Sequence, residues 1–185
     1  MRVTVTYLQT TDPATLAPPS SPRPPFELAR VPEPDPDLNR ALYASVGGDW
    51  AWTDRLPWSP RQWRAWLAVP GRETWLARVD GEVAGYAELA GTAADGSGAT
   101  EVELEYFGLL PAFTGRGLGG HVLADVLRQA WTLPARWPGL PPVRRVWLHT
   151  CSLDSPRALG NYRARGLRVY RTEEVQQAPV ASVPG

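Results

Sequence analysis

Residues Arg2–Thr10 alternate apolar Val3, Val5 and Tyr7 with polar neighbours, the two-residue period of a half-buried strand. Prolines are then too frequent between Asp12 and Pro36 for a helix or central strand, although Phe26–Val31 reads as a short edge strand. Asp35-Pro36 is a helix-start signal, followed by Leu38, Leu42, Tyr43 and Val46 on one face and stopped by Gly47-Gly48. Ser59-Pro60 repeats the signal ahead of a second helix with Trp63, Trp66 and Leu67 as its apolar stripe. Glu73–Val79 and Val83–Leu89 read as strands joined by the hairpin turn Asp80-Gly81. A loop over Gly91–Gly98 leads to a third strand, Thr100–Leu109. Helical period returns over Gly117–Trp131, where Leu118, Val122, Val126 and Ala130 recur at four-residue steps. Val143–Thr150 is a strand, Ser155–Arg165 a helix stopped by Gly166, and Leu167–Thr172 a last strand before a tail of low apolar content.

The order of strand, two helices, three strands, helix, strand, helix and strand predicts an α/β or α+β sheet with helices on its faces. The 185 residues suit one domain. It divides into a strand and Pro-rich segment (1–36), two helices and a hairpin (37–99), a core (100–172) and a loose tail (173–185). No apolar run approaches the roughly 20 residues of a membrane span, and the start of the chain does not read as a signal peptide. A cytoplasmic protein without membrane attachment is expected.

Composition narrows the chemistry. All 19 basic residues are arginine, which excludes a lysine-dependent phosphate loop, a Schiff base and a Ser–Lys pair. The single Cys151 excludes a disulfide or multi-thiol metal site within the chain, so no metal is expected. Zero net charge gives no reason to expect nucleic acid. Between Arg136 and Arg171, however, eight arginines face one acid, Asp154, which leaves two readings open: a solvated basic surface, or a half that meets a polyanionic ligand.

The segment Leu109-Leu110-Pro111-Ala112-Phe113-Thr114-Gly115-Arg116-Gly117-Leu118-Gly119-Gly120 carries the strongest signal. Its glycines allow a sharp turn and leave amides open, and the helix that follows begins with unpartnered N–H groups and a positive dipole end. Together these make an anion site. Gly115, Gly117 and Gly120 also fit a dinucleotide fingerprint, but no Asp or Glu lies between Asp125 and Asp154 to hold a ribose. A turn with only a packing role is the remaining alternative.

This turn resembles motif A of the GCN5-related N-acetyltransferases, (Gln/Arg)-x-x-Gly-x-(Gly/Ala). Downstream, Ser155–Leu167 is similar to that family's Asn-x-x-Ala-x-x-x-Tyr-x-x-x-Gly-Phe helix, with Ala158, Tyr162 and Gly166 in register. The resemblance covers Trp50 to Tyr170. It implies a mixed, mostly antiparallel central sheet flanked by helices, with a splayed parallel strand pair at the cofactor site. It also implies acetyl-CoA as cosubstrate, held by the amides of Gly115, Arg116, Gly117, Leu118, Gly119 and Gly120, with Phe107 and Leu109 beside the acetyl group. Thr114 stands where the family has Gln or Arg, and Ser155 where it often has Asn; Arg116 is the candidate to compensate.

From the same register, Glu103 is the expected general base, with Glu105 second, on a strand whose Glu101, Glu103 and Glu105 alternate to one face. Tyr162 is the expected proton donor to the departing thiolate. His121, His149 and Cys151 are read as packing or surface residues, with His149 and Cys151 on opposite strand faces. Six of the nine tryptophans lie between Trp50 and Trp75, and Trp50, Trp52 and Arg55 are expected to form an aromatic slot for the acceptor. The expected activity is transfer of acetyl to a primary amine, of a small molecule or a peptide N-terminus, by a monomer or homodimer. The alternative is a non-catalytic acyl-CoA-binding or sensory module.

Overall fold

The structure, a computed structural model, describes residues 1–50 and 52–176. Seven strands, β1 (Arg2–Thr10), β2 (Glu27–Arg30), β3 (Arg72–Val79), β4 (Glu82–Ala94), β5 (Ala99–Leu109), β6 (Val143–Cys151) and β7 (Arg168–Gln176), form one sheet in the order β2-β3-β4-β5-β6-β1-β7. Every pairing is antiparallel except β5 with β6. Among the described residues four α-helices accompany it: α1 (Pro36–Gly47), α2 (Pro60–Leu67), α3 (Leu118–Trp131) and α4 (Ala158–Ala164). The mixed, mostly antiparallel sheet with one parallel pair is the architecture the sequence led us to expect.

Local chemistry sets the element ends. Asp35 accepts a hydrogen bond from the Leu38 amide at 3.0 Å, with Pro36 in the first helical turn. Ser59 and Gln62 form a reciprocal capping box at the start of α2. Asp80 and Gly81, both at positive φ, make the two-residue turn of the β3–β4 hairpin.

Two helical layers cover different faces. Leu8, Val102, Leu104, Val146 and Leu148 pack with Val122, Val126 and Leu127 of α3. Leu76 and Tyr86 pack with Leu42 and Val46 of α1 on the other face. The contact with α1 is close: a Cβ at Gly108 would meet Val46 Cγ1 at 2.3 Å.

Three boundaries depart from expectation. β4 runs on to Ala94 through the segment read as a loop, because Gly91 and Thr92 pair with Val102 and Glu101. Gly91 serves close packing there, since a Cβ would meet Leu133 Cδ2 at 2.7 Å. Helix α4 begins three residues late, as Ser155-Pro156-Arg157 form a turn closed by the Ala158 amide on the Ser155 carbonyl. β7 extends through Glu173–Gln176, part of the segment read as a loose tail, because it pairs with β1 as far as Arg2↔Gln176. The rest of that segment, 177–185, lies outside the described residues.

Candidate active site

A bulge in β5 shapes the site. Glu88 of β4 pairs with Tyr106 and Leu89 with Leu104, so Glu105 is an extra, unpaired residue. The extra residue reverses the faces beyond it. Val102 and Leu104 point to α3, whereas Tyr106 packs with the α1 cluster. The parallel pairing of β5 with β6 reaches Glu103↔Trp147 and extends no further, so the two strands separate from Glu105 onward.

A cleft of about 1140 Å³ opens at this separation. Thr114, Gly115, Gly117, Leu118, Gly119 and Gly120 of the turn are among its lining residues. Gly115 and Gly117 adopt φ of 75° and 73°, and no atom lies within 4 Å of where their Cβ atoms would be, so the turn offers bare backbone. Phe107, Leu109, Ser155 and Tyr162 line it as well. Trp50, Trp52, Asp54, Glu105, His149 and Cys151 line the rest.

Two expected ligands are elsewhere. Arg116 does not line the cleft, and its guanidinium lies 5.1 Å from the centre of the Phe113 ring, so it does not compensate for Thr114. The Thr114 hydroxyl is itself committed, donating to the Pro111 carbonyl at 2.9 Å. Arg55 is 5% exposed and absent from the cleft wall. It is drawn inward by Glu88 at 2.6 Å and Glu105 at 3.0 Å, and lies among the rings of Trp58, Trp66 and Tyr106. Burying a guanidinium requires such pairing. Arg55 therefore lies behind the cleft and braces Glu105, which lines it.

The three glutamates of β5 have different surroundings. Glu101 is held by Arg144 and Arg145, whose hydrogen bonds keep its carboxyl below the usual range despite partial burial. Glu103 does not line the cleft; its Oε1 lies 3.4 Å from Nδ1 of His149, which does. Glu105 lines the cleft, and Arg55 and Arg72 both donate to its Oε2. Its Oε1 accepts no hydrogen bond among the described residues.

Tyr162 is 9% exposed, and its hydroxyl has no partner among the described residues. Burial, and then the negative charge of Asp154, push its pKa up, so the phenol remains a proton donor at neutral pH. Cys151 shares a face with His149, a consequence of the two-residue strand period that corrects the reading of opposite faces. Burial raises the Cys151 thiol, which therefore lacks the thiolate character of a nucleophile.

Several site residues escaped the sequence reading. Asp154 accepts from the Thr150 hydroxyl at 2.6 Å, the Cys151 amide at 2.9 Å and the Trp52 indole at 3.3 Å. Arg157 and Arg165 line the cleft. Arg165 Nε is buried without a partner, and burial pulls the guanidinium pKa down. The arginine-rich segment divides accordingly: Arg136, Arg144, Arg145 and Arg171 pair with acids, whereas Arg157 and Arg165 are turned to the cleft. The open amides of the turn and an unpaired guanidinium beside it fit an anionic, phosphate-bearing cofactor.

A mixed sheet with one splayed parallel pair, and a glycine turn feeding a helix at the splay, is the architecture of acetyltransferases. The chain belongs to the acetyltransferase (GNAT) family, whose sequence model it matches over residues 36–167. A comparison with curated proteins gives no match. Among solved structures, a functionally unknown conserved protein from Staphylococcus epidermidis superposes with a TM-score of 0.60 at 15% identity, over 94% of this chain and 60% of that one. A GCN5-related N-acetyltransferase from Kribbella flavida does so with a TM-score of 0.58 at 24% identity, over 91% and 55%. An aminoglycoside acetyltransferase from an uncultured soil metagenomic sample gives 0.58 at 12%, over 76% and 86%. These likenesses concern the fold, and the chain spans under two thirds of the length of the first two. Among the described residues no cluster of His, Cys, Asp or Glu could hold a metal ion, and no helix is long and apolar enough to cross a membrane.

Proposed function

We propose that this chain transfers the acetyl group of acetyl-CoA directly to a primary amine, in a single acetyltransferase domain. The observation that carries the reading is that one cleft is lined by the bare glycine turn, Tyr162, Trp50, Trp52 and Asp54 together. When bound, acetyl-CoA supplies a thioester whose carbonyl carbon the amine attacks, a C–N bond forming as the C–S bond breaks.

The chain's own groups divide the work. Amides from Gly115 to Gly120, the start of α3, and Arg165 hold phosphate oxygens. The backbone of β5 beside the splay, with the Leu109 amide as candidate donor, polarises the carbonyl. Tyr162 donates the proton that the sulfur takes as it departs. Glu105 Oε1 and Asp54 offer negative charge to an incoming ammonium, beside the indole faces of Trp50 and Trp52.

This acceptor end suits a cationic small molecule, and amino sugars belong in the test panel because aminoglycoside acetyltransferases share the fold. Release of free thiol is measured with acetyl-CoA and a panel of amines, amino sugars and peptide N-termini. Turnover is expected with at least one amine, and Tyr162→Phe should reduce kcat about 10²-fold with acetyl-CoA affinity retained. Binding of acetyl-CoA without thiol release on any acceptor would make the chain a non-catalytic acyl-CoA-binding module. Full turnover in Tyr162→Phe would remove the phenol from the mechanism.

A further inference from the structure

We propose that His149 accepts the proton of the acceptor amine, and that Glu103 acts on the reaction only through His149, as a positioning residue. The inference rests on the acetyl-transfer reading above and changes which atom meets the amine.

The geometry begins with strand register. Glu103 pairs with Trp147 across the parallel ladder, which puts His149 just past the last paired position, where β5 and β6 separate. Glu103 and His149 share a sheet face, but only His149 reaches the cleft. Its side chain is 48% exposed, against 21% for Glu103. Antiparallel pairing with β1 sets Tyr7 opposite His149, with ring centroids 5.6 Å apart, so the imidazole lies against an aromatic wall.

The Glu103 contact selects the tautomer. A carboxylate can only accept, so Nδ1 carries the hydrogen and, in the neutral ring, the lone pair lies on Nε2. Nε2 has no partner among the described residues. The 3.4 Å separation is long for a hydrogen bond, a relaxed geometry that catalytic contacts often show before the substrate is bound. The bound ammonium passes one proton to Nε2, which frees the nitrogen lone pair to attack the acetyl carbon, and the imidazole becomes an imidazolium balanced by Glu103. The half-exposed ring then returns that proton to solvent. The second N–H proton leaves to solvent as the amide forms, and Tyr162 recovers from solvent the proton it gave to sulfur.

Charges facing His149 from the surrounding elements agree with this role. Glu103 and Glu105 of β5 and Asp154 after β6 all favour the imidazolium, the Glu103 hydrogen bond being the largest influence, while burial opposes it. Glu173 of β7 also interacts with the ring charge. The net effect raises the pKa above the ordinary histidine value, towards the neutral pH at which a base of this kind works best. Glu105, by contrast, has one oxygen engaged by two guanidiniums and is better suited to hold an ammonium than to take its proton.

The chain has only two histidines, and His121 is buried near the Ser21 hydroxyl. An imidazole NMR titration resolves His149 once its signals are assigned by their loss in His149→Gln. The titration should place His149 above pH 6.5 in the wild type and lower in Glu103→Gln. The acid limb of the kcat/KM profile should coincide with that titration, move with it in Glu103→Gln and vanish in His149→Gln, whose kcat should fall about 10²-fold. A limb due to ionisation of the amine itself would remain in all three proteins. Glu103→Asp should retain the limb, since the charge is kept. Wild-type turnover with an acid limb that survives in His149→Gln would overturn the assignment and leave acetyl transfer standing. A His149 titration indifferent to Glu103→Gln would overturn it equally. A wild-type protein that acetylates no amine would fail the broader reading instead.

Discussion

Trp52 donates its indole N–H to Asp154, 3.3 Å away, and so joins the segment after α1 to the loop that follows β6. The ring also fills the space over Gly47, where a Cβ would meet it at 2.5 Å, and lies against Tyr106 at 4.8 Å. Asp154 is fixed in turn by Thr150 and Cys151. This polar contact thus ties together two cleft-lining residues 102 positions apart in sequence. Trp52→Phe preserves the aromatic packing and removes the bond. Steady-state kinetics should show KM for the amine raised by roughly three- to tenfold, the equivalent of about 0.5–1.5 kcal/mol for one hydrogen bond, with kcat little changed. An unchanged KM would mean the contact does not hold the acceptor end.

Arg165 lines the cleft with its Nε unpartnered among the described residues, and its Nη1 lies 2.8 Å from where a Gly120 Cβ would be. Arg165→Gln should weaken acetyl-CoA binding by roughly tenfold, the scale of one charge-assisted hydrogen bond of about 1.5 kcal/mol, and should reduce the sensitivity of binding to salt. Calorimetry at two ionic strengths reads both effects. Equal affinities would place the phosphates on backbone amides alone.

Two glycines around α4 should respond oppositely. Gly166 has φ +97°, and a Cβ there would meet the Thr15 carbonyl at 2.1 Å. Gly160, inside α4, has open space around its Cβ direction. Urea denaturation should show Gly166→Ala destabilised by at least about 1–3 kcal/mol and Gly160→Ala stabilised by about 0.5–1 kcal/mol. Similar values for both would contradict the backbone described here.

Removing Arg55 leaves Glu88 buried without its main counter-charge. Arg55→Met should cost about 3–5 kcal/mol, and Glu88→Gln added to it should recover part of the loss. Glu88 already has a raised pKa, through burial first. A carboxyl with a raised folded-state pKa contributes stability that is full below its unfolded value and lost as pH rises through the folded one. Arg55→Met raises Glu88 further, so its deficit should grow as pH rises above the unfolded carboxyl range. A deficit independent of pH would show that Glu88 is not the group left exposed to the loss.

Elements marked by local chemistry were legible in the sequence. Asp35-Pro36, Ser59-Pro60 and Asp80-Gly81 each carry their own hydrogen-bonding or dihedral requirement, so their positions survive folding unchanged. The Glu105 bulge carries no such mark, since it arises from how β4 pairs with β5, and it ended the regular alternation of the three glutamates. Arg55 was misplaced because its counter-charges are 33 and 50 residues away in sequence. β7 looked too polar for its full length because an edge strand is held by backbone pairing and by contacts such as the Tyr7 hydroxyl on Glu173. Counting the strand period as two places His149 and Cys151 on one face.

The glycine turn is the feature on which the functional account depends, and calorimetric titration with acetyl-CoA tests it most directly. The account predicts saturable binding of one acetyl-CoA per chain, competed by free CoA and weakened by Gly120→Val, whose side chain would press on Arg165 and Pro19. No binding at millimolar acetyl-CoA, or binding indifferent to Gly120→Val and Arg165→Gln alike, would contradict it.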